Sequence, residues 1–204
     1  MGEYKNGVVD VYIAAIGSGP VGSVYPPARQ ERMDASANEN QRRQRYFVWK
    51  LLEYAVAKSF GLKFDEQDFS VNAEGKWRCK ACFFSLSHSR DAVAVAVSDR
   101  PIGVDIESLE RTLAPGLENK ILTEKERLAC GALDGTRRQT YLLEKWCAKE
   151  SIYKAGDGIA FNPRKMEAGE NTQTGTVTLD GHTYVYAVAT DRPEQLRLYL
   201  QVEL

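Results

Sequence analysis

Two acidic residues, Asp105 and Glu107, lie two positions apart in the segment Gly-Val-Asp-Ile-Glu. The alternation predicts a strand in which both carboxylates leave one face, while Val104 and Ile106 leave the other. Two negative charges a few ångströms apart are unfavourable unless a cation lies between them, and oxygen-only ligands suit Mg²⁺. The pattern therefore predicts a magnesium site that receives a phosphate, and the alternative is a solvated acidic pair at a strand edge.

A second group of polar residues lies in the run Glu-Lys-Trp-Cys-Ala-Lys-Glu-Ser-Ile-Tyr-Lys-Ala. On a helix, Trp146, Glu150 and Tyr153 share one stripe, and Lys154 follows Glu150 by one turn. A carboxylate and an ammonium then face the same way. The alternative is an exposed helix whose Glu–Lys pair contributes only about 0.2–0.5 kcal/mol. Lys149 points to another helix face, and its role stays open.

The third group is the run Phe-Ser-Leu-Ser-His-Ser-Arg, in which an apolar stretch gives way to hydroxyls, an imidazole and a guanidinium. Such donors at a strand end suit a phosphate. A capping or packing role is the alternative for His88. Neither a nucleophile elbow nor a partner carboxylate signals a Ser-His-Asp triad.

In this order and spacing, the three groups resemble the motif set of the 4′-phosphopantetheinyl transferases, strongly over residues 75–160. The resemblance implies metal-holding roles for Asp105, Glu107 and Glu150, with Mg²⁺ as the metal. It implies coenzyme A contacts at the following positions: Arg45, Lys76, Ser87, His88 and Lys154. One departure is Trp77, which stands where the family often has proline after the Gly-Lys pair. A basic pair before the long helix would fall on Arg29 and Arg32.

The reaction implied by the resemblance is attack by a serine of an apo acyl or peptidyl carrier protein on the β-phosphate of coenzyme A, with release of 3′,5′-ADP. Glu150 either completes the metal shell or takes the serine proton through a water, and Lys154 offsets charge on the departing phosphate. Fatty acid, polyketide, peptide-synthetase and lysine-pathway carriers are all open. The alternatives are another magnesium-dependent phosphate enzyme, such as a nuclease or phosphatase, and a non-catalytic module that binds coenzyme A or a carrier.

The hydropathy pattern predicts elements able to position these residues. Helices are expected over residues 38–60, 123–133 and 136–156, and strands over residues 8–16, 82–86, 92–98, 102–106, 176–179, 183–189 and 195–204. Each half therefore holds a long helix and several strands. We predict an α+β fold of two lobes, residues 1–100 and 101–204. The larger, monomeric type of the family implies that the lobes are pseudo-symmetric, each a long helix on a small antiparallel sheet, with the active site at their interface.

Composition excludes several function classes. A net charge of −1 argues against wholesale binding of nucleic acid, and no apolar run approaches the roughly 20 residues that span a bilayer. We therefore expect a soluble, cytoplasmic protein. Four cysteines are too few for a disulfide scaffold, and the Cys79–Cys82 pair lacks a second pair with zinc-site spacing. Four reduced thiols are expected.

Overall fold

The computed structural model describes residues 7–73, 75–156 and 160–203. The α-helices in these ranges are α1 (Pro27–Asp34), α2 (Glu39–Phe60), α3 (Leu117–Ile121), α4 (Glu124–Gly131) and α5 (Gly135–Ala155). The strands are β1 (Val9–Ala15), β2 (Phe69–Val71), β3 (Trp77–Cys79), β4 (Phe83–Ser89), β5 (Ala92–Ser98), β6 (Ile102–Ser108), β7 (Thr172–Leu179), β8 (His182–Thr190) and β9 (Arg197–Leu200). The predicted α+β class is confirmed.

The strands form two sheets and a short ribbon. The first sheet has the order β4-β5-β1-β9, the second has the order β6-β8-β7, and the ribbon pairs β2 with β3. All pairs are antiparallel except β1 with β9, so the expectation of purely antiparallel sheets is wrong for the first sheet. The start of β1 pairs with Ser98 at the end of β5, and Thr190 at the end of β8 pairs with Ile102, four residues after Ser98. β9 follows β8 and runs parallel to β1. The lobe boundary near residue 100 stays a prediction.

The two sheets pack face to face between the long helices. Along β5 the valines face α2 within one apolar cluster, whereas the alanines pack against Val104 and Ile106 of the second sheet. Small alanines allow the two sheets to approach closely. On the other face of the second sheet, Leu143, Cys147 and Ala148 of α5 contact β8. The order of layers is therefore α2, first sheet, second sheet and α5.

Local sequence signals set the helix ends. The Asn38 side chain accepts a hydrogen bond from the N–H of Gln41 at 2.9 Å, and Gly61 ends α2 in the left-handed conformation, as the predicted boundaries require. Thr123 and Glu126, whose spacing of three is typical of a capping box, form one at the start of α4. Helices α1 and α3 were not predicted, because neither has a periodic apolar stripe long enough to stand out from a loop.

Three serines join the first sheet to the second where the edge strands β4 and β6 meet. We call Ser85, Ser87 and Ser89 the serine ladder. Their hydroxyls accept hydrogen bonds from backbone N–H groups of β6 at 3.0, 3.2 and 3.1 Å, the donors being Val104, Ile106 and Ser108. β4 therefore continues to Ser89, beyond its predicted end at residue 86. Among the described helices, none has an apolar stretch that would cross a bilayer.

Candidate active site

Asp105 lies at the centre of a cluster formed by β6, β4 and α5. Its carboxylate is only 6% exposed. The Oδ1 atom accepts hydrogen bonds from the Ser87 hydroxyl and from the Lys154 ammonium, each at 2.7 Å. The Oδ2 atom is buried and has no hydrogen-bond partner among the described residues. A buried carboxylate oxygen without a donor is costly, and a cation ligated there would remove that cost.

Glu107 leaves the same face of β6 as Asp105, as the alternation predicts. Its Oε2 atom accepts a hydrogen bond from the Ser89 hydroxyl at 2.8 Å, and its Oε1 atom pairs with Arg111. Burial raises the pKa of Glu107, the negative charge of Asp105 adds to that rise, and the bonds from Ser89 and Arg111 oppose it. Burial is thus the main cause of the rise, and repulsion between the two acids adds a smaller contribution.

Helix α5 crosses β6 at very short range because the strand has a glycine at the crossing. A Cβ atom on Gly103 would lie 1.8 Å from the backbone oxygen of Ser151. This approach brings the last turns of α5 over the acid pair, where Lys154 also donates to the backbone oxygen of Val104 at 3.1 Å. The spacing of the motif alone did not reveal how close the helix and strand lie.

Glu150 lies one turn before Lys154 and within electrostatic reach of both acids of β6. Burial raises the pKa of Glu150, Lys154 lowers it, and the charges of Asp105 and Glu107 raise it further. Within the described ranges, no three acidic, histidine or cysteine side chains already stand at metal-coordinating distances. The donor set nevertheless fits a hard divalent cation, because it consists of carboxylate oxygens and one of them is buried without a partner.

Lys149 faces away from this cluster, as its helix position predicts. It is fully buried, and its ammonium donates to the backbone oxygen of Ile121 at 2.8 Å and pairs with Glu126. Glu126 also accepts the N–H of Thr123 at the start of α4. Lys149 therefore anchors α3 and α4 to the helix that carries Glu150.

His88 lies on β4 of the first sheet, within electrostatic reach of three cationic side chains. The imidazole is exposed at one edge, yet desolvation by the surrounding protein is the main cause that lowers its pKa. Three cations lower the pKa further, namely Lys154, Arg29 and Arg45. Several donors therefore converge where an anion would be held.

We call His88, Arg29 and Arg45 the anion-binding group. Its two arginines lie on α1 and α2. Arg29 lies 4.5 Å over the ring of Trp49 and donates to the backbone oxygen of Arg45 at 3.0 Å. Its Nε atom is buried with no hydrogen-bond partner among the described residues. Burial first, then the charges of Arg45 and Arg32, lowers the pKa of Arg29 to about 10. An anion would satisfy this buried donor and offset the repulsion.

Lys76 connects the β2–β3 ribbon to the end of α5. Its ammonium donates to the backbone oxygens of Tyr153 and Gly156 at 3.1 and 2.9 Å and lies 4.6 Å from the centre of the Tyr153 ring. A lysine at a helix C-terminus is favoured by the exposed carbonyls there. Lys76 is thus directed at the same helix that carries Glu150 and Lys154.

The structure brings the predicted acids, Lys154 and Ser87 into direct or electrostatic contact, and His88 lies within electrostatic reach of Lys154 and Arg45. Lys76 contacts the C-terminal end of α5 at Tyr153 and Gly156. Sequence reasoning missed Ser89 as a partner of Glu107. The alternation Ser-x-Ser-x-Ser was the signal that could have revealed it, because such residues share one face of a strand.

Comparison with known proteins agrees with this geometry. A family model described as the 4′-phosphopantetheinyl transferase superfamily matches residues 101–195, a range that includes the three acids and Lys154. The chain is 27% identical over 131 residues to "4′-phosphopantetheinyl transferase psf-1" of Bacillus pumilus, an alignment covering 60% of this chain and 56% of that protein.

Two further relatives carry related names. A "4′-phosphopantetheinyl transferase" of Bacillus subtilis is 28% identical over 158 residues, which are 72% of this chain and 68% of that protein. A "Holo-[acyl-carrier-protein] synthase" of Streptococcus suis is 41% identical over 63 residues, which are 28% of this chain and 53% of that protein. The chain thus spans little more than half the length of the B. pumilus and S. suis relatives. The matching model and these relatives show that the chain is similar to the 4′-phosphopantetheinyl transferase superfamily, most directly over residues 101–195.

Proposed function

We propose that this protein transfers the 4′-phosphopantetheine group from coenzyme A to a serine of an apo carrier protein and releases 3′,5′-ADP. The observation that supports this most is the buried, unpartnered Oδ2 atom of Asp105, which lies within a group of three acids. The anion-binding group lies within electrostatic reach of Lys154, which pairs with Asp105. A cation site next to an anion site is the combination that a diphosphate substrate requires.

Asp105 and Glu107 would hold Mg²⁺, with Glu150 as the third acid. When bound, the ion would supply positive charge that offsets the negative charge developing on the phosphates in the transition state. The serine ladder fixes the two strand carboxylates before any ligand arrives, since Ser87 and Ser89 each donate to one of them. Preorganised ligands reduce the ordering that binding would otherwise require.

Glu150 has a second possible role, the acceptance of the serine proton through a water. Its raised pKa makes it a better base than an ordinary glutamate in the chain without a cation. Direct ligation of a cation would lower that pKa, so ligand and base roles compete. In either role, the carrier serine oxygen forms a bond to the β-phosphorus, and the bond from that phosphorus to the oxygen of 3′,5′-ADP breaks with its electron pair going to that oxygen. The serine proton passes through a water to Glu150 if Glu150 is the base, and to solvent water if Glu150 is a ligand.

The anion-binding group would hold the phosphates of coenzyme A. We assign the 3′-phosphate to His88, Arg45 and Arg29, because these side chains converge beyond the acids. Lys154 lies between the two groups, bonded to Asp105 and close to His88, and is suited to offset charge on the departing phosphate. Ser87 already donates its only hydroxyl proton to Asp105, so a contact to phosphate would require that bond to break.

The fold and partners complete the proposal. We infer two pseudo-symmetric lobes, residues 1–100 and 101–204, with the active site between them and activity as a cytoplasmic monomer. Support comes from the position of the site residues in the chain. His88 and Arg45 lie on β4 and α2 of the first proposed lobe, whereas the acids lie on β6 and α5 of the second. The partner would be a small acidic acyl or peptidyl carrier protein, and neither nucleic acid nor membrane would take part.

Mass spectrometry of an apo carrier protein incubated with coenzyme A and Mg²⁺ tests the proposal. A gain equal to one phosphopantetheine on the carrier serine, dependent on Mg²⁺, is expected. The variants D105N, E107Q and E150Q should each retain the fold and lose most of this activity. Release of free phosphate from coenzyme A with no change in the carrier would instead favour a hydrolase, and full activity in D105N would refute the metal assignment.

A further inference from the structure

Cys79 and Cys82 form the C-x-x-C motif that the proposed transferase site leaves unused. Cys79 ends β3, and Cys82 lies immediately before β4. Cys79 is half-buried, whereas Cys82 is 6% exposed and belongs to the apolar cluster under α2. Cys79 is therefore partly open to solvent, whereas Cys82 is not.

The turn between the two cysteines directs hydrogen-bond donors at the first sulfur. The N–H of Ala81 donates to the Cys79 Sγ atom at 3.4 Å, and the N–H and thiol of Cys82 are directed at the same sulfur. Three donors around one sulfur stabilise its thiolate. The Cys82 sulfur instead acts as the donor and lies in an apolar environment. The geometry therefore makes the two thiols chemically unequal.

The pKa shifts follow this geometry. The bond from the Cys82 thiol is the largest cause that lowers the pKa of Cys79 to about 6, against the opposing effects of burial and of Asp68. The same bond and burial raise the pKa of Cys82. Lys80 pairs with Asp68 at 2.6 Å and so offsets part of its charge. In contrast, burial raises the pKa of Cys130 and of Cys147.

We infer that Cys79 and Cys82 are a dithiol–disulfide exchange site whose substrate is a low-molecular-weight disulfide. The Cys79 thiolate attacks one sulfur of the disulfide, forms a mixed disulfide and releases one thiolate. Cys82 then loses its proton and attacks the Cys79 sulfur, which closes the Cys79–Cys82 bond and releases the second thiolate. The two cysteines are oxidised, the small disulfide is reduced to two thiols, and the two protons pass to those thiols. This site does not depend on the proposed transferase activity.

The test uses the whole reduced protein with oxidised glutathione, followed by acid quenching, alkylation and peptide mapping. The wild type should form a Cys79–Cys82 disulfide, and the variant C82S should stop at glutathione attached to Cys79. The variant C130S is the matched control and should behave as the wild type. A wild type that keeps glutathione on Cys79, or attachment at Cys82 in the variant C79S at the wild-type rate, would overturn the assignment.

A rate comparison that needs no variant gives a second criterion. At pH 6 about half of a thiol with a pKa of about 6 is thiolate, against below about 1% of an ordinary cysteine. The lower intrinsic nucleophilicity of such a thiolate offsets part of this gain, which leaves roughly a tenfold faster reaction. Cys79 in the folded protein should therefore react about tenfold faster at pH 6 than Cys79 in the urea-unfolded chain. Equal rates would show that the turn does not activate the sulfur.

Discussion

Replacement of Ser89 by alanine separates the two functions of the serine ladder, the joining of the sheets and the positioning of the acids. The Ser89 hydroxyl accepts the N–H of Ser108 at 3.1 Å and donates to Glu107 at 2.8 Å. Ser85 accepts the N–H of Val104 at 3.0 Å and, among the residues that the structure describes, donates to no carboxylate. The variant S85A is therefore the matched control, because it removes a similar bond between the sheets and leaves the acid pair intact.

The expected magnitudes differ for stability and for metal affinity. Each variant leaves one backbone N–H without its acceptor, which should lower the free energy of unfolding by about 1–3 kcal/mol. Loss of a hydrogen bond that orients a metal-ligating group typically weakens metal binding about 10- to 100-fold, or about 1.4–2.7 kcal/mol. S89A should therefore lose both stability and metal affinity, whereas S85A should lose stability alone.

Titration of Mn²⁺ into the protein with coenzyme A and without a carrier, followed by the electron paramagnetic resonance signal of free Mn²⁺, measures this affinity. The variant S89T retains a hydroxyl and should restore most of the affinity. Equal affinities of S89A and S85A would refute the positioning role of Ser89. Absence of Mn²⁺ binding to the wild type would refute the metal site itself.

Three further predictions concern other parts of the structure. In urea denaturation, G103A should lower the free energy of unfolding by at least about 3 kcal/mol, because its Cβ would overlap the backbone of α5. G131A is the control and should leave this free energy nearly unchanged, because its Cβ would meet open space. In the same urea experiment, K149A should lower the free energy of unfolding by about 3–5 kcal/mol, since it leaves the buried carboxylate of Glu126 without its ion pair. K125A, at an exposed lysine, is the control and should leave that free energy nearly unchanged. In calorimetry, H88A should bind coenzyme A about tenfold more weakly and 3′-dephospho-coenzyme A unchanged; equal weakening for both ligands would contradict the 3′-phosphate assignment.

The metal-facing half of the candidate site could be predicted from the sequence because it depends on short periods within single elements. A spacing of two on a strand places Asp105 and Glu107 on one face, and a spacing of four on a helix places Glu150 and Lys154 together. Strong local signals also gave the elements themselves, including the capping box of α4 and the turn at Asp180–Gly181 between β7 and β8.

The remaining features depend on contacts between elements that are distant in sequence. The serine ladder needs β4 to lie beside the edge of β6, and the overlap at Gly103 needs α5 to cross that strand. The anion-binding group depends on α1, whose polar sequence is typical of a loop. Arg29 and Met33 lie on the buried face of this helix, but the sequence does not show this until the segment is known to be helical. The spacing of residues within one element does not predict contacts between distant elements. The parallel pairing of β9 with β1 could not be predicted for the same reason.

Lys154 links the acid group to the anion-binding group, and its charge has opposite consequences for the two ligands. Its ammonium lies 2.7 Å from the carboxylate oxygen of Asp105, so it competes with a divalent cation for the same acid. An arriving diphosphate offers the ammonium another anion and thereby releases Asp105 toward the cation. Cation and coenzyme A should consequently bind with positive cooperativity, since each removes an unfavourable charge that the other would meet. On this reasoning, the acids, the lysine and the histidine would act as one electrostatic unit, because binding of either ligand would change the partner of Lys154.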